Sequence, residues 1–531
     1  MGQWTGRTLA ALPVEQLVGQ VLWSYWTASP DVLRMVEAGL LGGIISRGAV
    51  TPPTPASAAE FTADLQRRSP LPLLFLEDFE FGVGYLVPGA TEITSSMGLA
   101  ATGDPACAYE AARITAVESR ALGYHVLLAP ILDINVNPAN PIINVRSFGE
   151  DPAKVAEMGL AFFRGAEAAG VLACGKHFPG HGDTDMDSHR ELPTVLHSRE
   201  RMDAVELVPF RRCIDAGINF IMSAHIVFPA VDPTPGLPAT LSRKILTGLL
   251  REELGFTGVI VTDAMAMKAI IDNFPLGEAE VRAVEAGADF VLCAQPAPAH
   301  KALLAAVNSG RVTTDRLRDS VRRLLVAKER LGLHETRTPD PAAVSSLVGT
   351  PTHRESALDI ARKSITLLRG RTPCFDPAKP LLAVIHRAKR YNLGESHQIL
   401  AAELAKFHPS VRCLFVDESP EAAPAALREL ESLLSGAGQL LLATFARVEA
   451  YKASSGGKSA VDESLLAALA RSAKPLTAIS FGSPYVLGRL APAHNLLAAW
   501  YDSDVCIQAA CEVCFGKEKP RGRRPVTIPG L

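Results

Sequence analysis

Charge of one sign is what this 531-residue chain most lacks: 53 Lys and Arg face 56 Asp and Glu, for a net charge of −3. That near balance excludes the strongly basic surface of a nucleic-acid binder and the cationic face of a membrane-surface protein. No run of about 18 apolar residues occurs, so no membrane-spanning helix is expected. The N-terminus reaches Glu15 and Gln16 before the apolar region of a signal peptide forms. Cysteines are few and odd in number, nine in all, and most lie in apolar runs (Cys174, Cys213, Cys293, Cys413), as free thiols do in a reducing compartment. A cytoplasmic location follows as the expectation. Internal repeats and low-complexity tracts are absent as well.

What is present reads as two domains. Residues 1–335 alternate short, continuously apolar runs with amphipathic helical stretches. The candidate strands are 21–25, 43–46, 73–76, 125–132, 171–174, 220–223, 259–262 and 290–293. Continuous rather than alternating apolar strands belong to a parallel sheet covered on both faces. Eight such β/α units predict a (β/α)8 TIM-type barrel, with its chemistry at the C-terminal strand ends. A polar, Pro- and Thr-rich stretch, 336–354, is read as a linker. Residues 355–531 then alternate strands at 381–385, 412–416, 439–444, 476–481 and 496–500 with helices, which predicts a three-layer α/β sandwich domain.

Chemistry concentrates in Lys176-His-Phe-Pro-Gly-His-Gly-Asp-Thr-Asp-Met-Asp-Ser-His189, which follows the apolar run Val171–Gly175. Three histidines (His177, His181, His189) and three aspartates (Asp183, Asp185, Asp187) in so short a stretch are not explained by packing, since each costs several kcal/mol to bury unpartnered. Other strand ends carry acids or a cation: Asp78 and Glu80 after the third, Arg146 after the fourth, Asp263 after the seventh. Such a set suits a polyhydroxylated substrate that needs charge-assisted partners. Two chemistries fit these residue types. Either Asp263 attacks an anomeric carbon while another group protonates the leaving oxygen, or the histidines and aspartates bind a metal that activates water. His181 reads as a loop-structuring residue, Asp183 and Asp185 as solvated or capping groups, and Asp289 as a structural rim residue. His225, after the sixth strand, reads equally as a pocket residue. Cys506, Cys511 and Cys514 lie on an apolar helical stretch without a fourth ligand nearby, so no metal and no cofactor is expected.

The motifs match a known family. Lys176-His-Phe-Pro-Gly-His-Gly-Asp with Asp187-Ser-His189, together with Arg146-Ser-Phe-Gly and Val261-Thr-Asp263-Ala, resembles glycoside hydrolase family 3. The Asp-x-His marks its bacterial β-N-acetylglucosaminidase (β-N-acetylhexosaminidase) branch, which acts in peptidoglycan recycling. The resemblance extends over Met222-Ser-Ala-His225, Leu237–Ser242, Ala286–Asp289 and Pro525–Pro529. It implies a retaining exo-glycosidase for non-reducing terminal β-linked N-acetylglucosamine. Asp263 would be the nucleophile, His189 the general acid/base and Asp187 its orienting partner. Asp78, Arg146, Lys176 and His177 would grip the sugar, with Gly180 and Gly182 letting the loop close.

One departure stands out. The family usually reads Asp-x-Glu-Gly-Gly-Arg after the third strand, whereas this chain reads Asp78-Phe-Glu-Phe-Gly-Val-Gly and has no arginine between Arg68 and Arg113. A β-glucosidase or a phosphate-dependent glycoside phosphorylase of the same fold is the close alternative, because a histidine acid/base leaves no second carboxylate to repel phosphate. A metal-dependent hydrolase and a non-catalytic sugar binder stand further off. The expected partner is a small carbohydrate, with neither nucleic acid nor membrane.

Overall fold

Eight short apolar runs of the first 300 residues pair in parallel into one sheet. The computed structural model describes residues 2–46, 52–184, 186–388, 394–417, 422–448 and 463–531. The strands are β1 (Leu22–Tyr25), β2 (Gly43–Ile45), β3 (Leu74–Glu77), β4 (Val126–Leu127), β5 (Leu172–Phe178), β6 (Phe220–Ser223), β7 (Val259–Thr262) and β8 (Val291–Cys293). They are ordered β7-β6-β5-β4-β3-β2-β1-β8, and a parallel bridge between Val261 and Phe290 brings the two ends together. This is the barrel the sequence predicts.

Two strands differ from expectation. β4 keeps only two residues of the expected 125–132, because Ala129-Pro130 interrupts the ladder; Leu132 N then bonds Lys176 O. β5 runs four residues past the expected end, so Lys176 and His177 lie on a strand rather than in a loop. Helix Lys244–Glu253 is wound with i→i+5 hydrogen bonds, Leu254 N closing on Leu249 O.

All eight strands feed one buried cluster through alternate residues: Trp23, Ile45, Leu74 and Leu76, Val126, Leu172 and Cys174, Phe220 and Met222, Val259 and Val261, and Leu292. Only the inner face of a closed barrel can gather side chains from every strand. Trp23 and Phe290 stack there at 5.5 Å. The period of two has a consequence for function. Positions 78, 176 and 263 continue the series 74–76, 172–174 and 259–261 by one step, so Asp78, Lys176 and Asp263 cap this inner column at the C-terminal strand ends.

The second sheet contains β9 (Thr366–Arg369), β10 (Leu381–His386), β11 (Val411–Val416), β12 (Gln439–Thr444), β13 (Leu476–Ser480) and β14 (Asn495–Ala498), ordered β11-β10-β12-β13-β14-β9 with β9 antiparallel. Leu382, Val384, Leu440 and Leu442 pack in one cluster and Leu381, Ala383, Ile385 and Leu441 in another. The first includes Leu430 and Leu465 of two helices, the second Leu400 and Ile507 of two more, which makes three layers. The edge strand β9 was not expected from the sequence.

The chain divides into two compact units: Met1–Thr91, Tyr109–Ile134 and Val155–Thr350 form one, and Glu92–Ala108, Asn135–Lys154 and Pro351–Leu531 the other. Arg146 therefore belongs to the unit that holds the second sheet. The stretch read as a linker, 336–354, contains helix Pro341–Leu347 and the start of helix Pro351–Ser364. Among the described residues no helix is long and apolar enough to cross a membrane.

Candidate active site

Lys176 is nearly fully buried, its side chain 3% exposed, and an ammonium there requires acids. It has them: Nζ lies 2.6 Å from Asp78 Oδ1 and 2.8 Å from Glu80 Oε1. Asp78 is one residue past β3, and Glu80 follows where the chain turns through Gly82 at φ 84°. Phe81, Val83 and Leu86 are buried in the stretch where the family motif has its arginine.

Next along β5, His177 is fixed by an acid the sequence reading did not single out. Asp133 is buried, and its carboxylate accepts from His177 N (3.1 Å) and from His181 N (2.7 Å), with Oδ2 2.7 Å from His177 Nδ1. A carboxylate only accepts, so His177 carries its proton on Nδ1 and presents a bare Nε2 when neutral. Burial alone would push the Asp133 pKa up. The adjoining His177 charge and hydrogen bond, with the His181 amide, hold it below the usual carboxylate value instead.

The loop beyond β5 is stapled by its own side chains. His181 Nδ1 lies 3.0 Å from Thr184 Oγ1 and Nε2 lies 2.9 Å from Ser188 Oγ. Burial drives the His181 pKa down to about 4, so the ring is neutral at pH 7. Both ring nitrogens are engaged within the loop, the structuring role read from sequence. Gly182 has a steric reason to be glycine: a Cβ there would lie 1.7 Å from Ile134 O. The expected hinge is thus a point of close backbone contact. Asp183 lies 2.8 Å from His197 Nε2, while Asp185 falls outside the described residues.

Asp187 and His189 form the compact pair that their spacing predicts. Asp187 Oδ1 accepts from His189 N at 2.9 Å and lies 2.8 Å from His189 Nδ1. The Asp187 side chain is 4% exposed and that of His189 is 23% exposed. One end of the unit is buried, and the imidazole reaches solvent. By the same acceptor argument the His189 proton sits on Nδ1 when the ring is neutral, and Nε2 is the ring nitrogen turned away from Asp187.

Asp263 follows β7. Its Oδ1 accepts from Ala264 N at 2.7 Å. Burial would raise its pKa, but the charges of His177, His225 and His189 outweigh that and hold it below the usual carboxylate value. The carboxylate is therefore ionised at neutral pH, and the same interactions bring His189 into its electrostatic reach. His225 is fully engaged, Nε2 donating to Ala264 O at 3.0 Å and Nδ1 lying 2.9 Å from Thr240 Oγ1. It supports the Asp263 turn through that carbonyl.

One of the residues considered lies apart from this constellation. Asp289 precedes β8, at the N-terminal strand ends, where Ile260 N, Ser320, Arg251, Arg316 and Arg323 surround it. Its role is structural, as read. Arg146 donates to Ile142 O at 2.9 Å within its own unit. Among the described residues no group of three or more His, Cys, Asp or Glu is placed to hold a metal.

A parallel barrel with a buried lysine–acid cluster, an ionised aspartate and an Asp–His pair at its C-terminal strand ends has the layout of a barrel hydrolase acting on polar substrates. Residues 14–327 match the glycosyl hydrolase family 3 N-terminal domain, and the chain belongs to that family. It is 33% identical over 377 residues to a β-N-acetylglucosaminidase/β-glucosidase of Cellulomonas fimi, covering 69% of this chain and 66% of that protein. It is also 31% identical over 524 residues to β-hexosaminidase A of Pseudoalteromonas piscicida, covering 88% and 85%. The structure of a family 3 β-N-acetylglucosaminidase from Paenibacillus sp. FPU-7 superposes with TM-score 0.86 at 35% identity, covering 98% of this chain and all of that one. A β-glucoside phosphorylase, BglX, superposes with TM-score 0.86 at 26% identity, covering 99% and 96%.

Proposed function

We propose that this protein is a retaining β-N-acetylhexosaminidase that removes non-reducing terminal β-linked N-acetylglucosamine. The observation that carries the chemistry is the Asp187–His189 pair beside an ionised Asp263. Asp263 attacks the anomeric carbon while His189 Nε2–H protonates the departing oxygen, leaving a covalent glycosyl-Asp263. His189 then takes a proton from water, which attacks the same carbon and releases the sugar with its configuration retained. Asp187 holds the ring by Nδ1 and stabilises the imidazolium whenever it forms. Lys176 and Asp78 bind sugar hydroxyls, His177 adds a ring nitrogen fixed in direction by Asp133, and Arg146 is assigned to the sugar on its motif alone.

The substrate is supported by the relatives named for β-N-acetylglucosaminidase and β-hexosaminidase activity. Cell-wall fragments are the natural source of such a terminal sugar. Nine free cysteines, seven of them buried and none disulfide-bonded, suit a cytoplasmic site of action. A metal-dependent route has little support, since both nitrogens of His181 are engaged with hydroxyls.

The test compares aryl β-N-acetylglucosaminide with aryl β-glucoside, each with and without phosphate and with chelator. Preferred turnover of the first, unchanged by chelator, supports the reading. Equal or better turnover of the glucoside overturns the substrate, acceleration by phosphate overturns hydrolysis in favour of phosphorolysis, and loss with chelator restored by zinc overturns the mechanism.

A further inference from the structure

A cavity of about 380 Å³ lies at the N-terminal end of the barrel strands, the end remote from Asp263. Arg120, His125, Leu333, Arg337, Asp340 and Ala343 are among the residues that line it. All belong to the barrel unit. Its volume is in the range of small-molecule sites.

The cavity's charge is unbalanced. Arg120 donates to Leu331 O at 2.6 Å, and among the described residues its buried Nη1 has no hydrogen-bond partner. Arg337 donates to Ser69 O and Pro70 O, at 3.2 and 3.4 Å. Neither guanidinium forms an ion pair among the described residues. The one carboxylate in the lining, Asp340, accepts from Ala342 N at 2.9 Å at the start of its helix. Phe75 N donates to His125 Nδ1 at 3.0 Å, so neutral His125 carries its proton on Nε2 and adds another donor. Close by, Lys328 is buried with only Gln20 Oε1, 2.7 Å away, as its partner among the described residues. Burial and then the Arg337 charge push the Lys328 pKa down to about 7, and burial followed by Arg120 and Lys328 pushes that of His125 well below its ordinary value. After burial, the neighbouring cations lower both groups further, as cations close to one another do.

We propose that this cavity is a binding site for a small molecule bearing a phosphate or carboxylate group, received by the guanidinium groups of Arg120 and Arg337. Guanidinium supplies paired donors that match either oxyanion, and such bonds are strong where water is partly excluded. The volume exceeds that of a bare oxyanion, leaving room for an organic body against Leu333 and Ala343.

Calorimetric titration of the full chain at constant ionic strength tests this, with inorganic phosphate and citrate as separate probes. The wild type is expected to show one saturable site for at least one of them, and the responding probe identifies the anion class. Arg337→Gln should weaken binding by about tenfold or more, the loss of roughly one charge-assisted pair. Ala343→Glu leaves both arginines in place, sets a carboxylate in the cavity, and should abolish binding even if Arg337→Gln fails to fold. Hydrolysis of the aryl glycoside should stay unchanged in Ala343→Glu. No saturable binding of either anion, or equal affinity in the wild type and a folded variant, overturns the proposal; the latter would place the anion elsewhere.

Discussion

Asp187→Asn isolates the charge of the acid/base pair while keeping its shape. Asp187 Oδ1 holds His189 by two contacts, at 2.9 Å to N and 2.8 Å to Nδ1, and an asparagine oxygen can occupy the same position. The backbone contact is unchanged along the reaction. The Nδ1 contact strengthens only when the ring becomes cationic, so the substitution removes the excess of one charge-assisted hydrogen bond, roughly 2–3 kcal/mol at this partly exposed ring. That amounts to about a 10²-fold loss in kcat/KM, within the range general acid–base catalysis supplies. Leaving groups separate this from a binding defect. An alkyl or methylumbelliferyl β-N-acetylglucosaminide needs its oxygen protonated and should show the full loss. A 2,4-dinitrophenyl glycoside, whose phenolate leaves unaided, should show little change in kcat/KM. Equal losses for both substrates would refute the acid/base role and reduce Asp187 to a loop support.

Other residues make separate demands. Asp133→Ala leaves His177 N, His181 N and the His177 ring without their buried acceptor and should cost about 3–5 kcal/mol in urea unfolding; an unchanged midpoint would contradict the role given to Asp133. Gly182→Ala places a methyl 1.7 Å from Ile134 O and should destabilise by about 1–3 kcal/mol or more, with a loss of activity; a neutral outcome by thermal melting would mean the loop is not held as described. His181 has a folded pKa of about 4, below the ordinary imidazole value, so the unfolded chain takes up the proton first. Its contribution is full above pH ~6.5 and is lost as pH falls toward 4, by about 3 kcal/mol at most. Urea midpoints at pH 7, 5.5 and 4.5 should therefore fall less steeply in His181→Gln, and parallel profiles would refute this.

The barrel was legible because eight apolar runs with helical spacers leave little other solution, and six of the eight strands lie within a residue or two of their expected limits. β5 was cut short at Cys174 because Lys176 and His177 are polar. They can occupy a strand because Asp78, Glu80 and Asp133 converge on them from positions 44 to 98 residues away in sequence. Asp133 was missed although it obeys the rule that picked out Asp78 and Asp263, an acid just past an apolar run, here the run 125–132. Arg146 lies close in sequence to barrel strands, yet long-range contacts group residues 135–154 with the later chain, a pairing no local pattern encodes. The short edge strand β9, four residues directly after a helix, carries too little periodicity to be seen. The Asp187–His189 pair was legible because two residues of spacing suffice to bring an aspartate to an imidazole.

Covalent trapping tests the central claim most directly. A 5-fluoro β-N-acetylglucosaminyl fluoride should load the enzyme and turn over slowly, since the ring fluorine slows both steps through their oxocarbenium-like transition states while the fluoride leaving group offsets this only in the first. Mass spectrometry of the digested protein should then show one sugar added to the peptide that contains Asp263, and no adduct in Asp263→Asn. An adduct on another residue, or turnover of the fluoride with no adduct at all, would contradict Asp263 as the nucleophile.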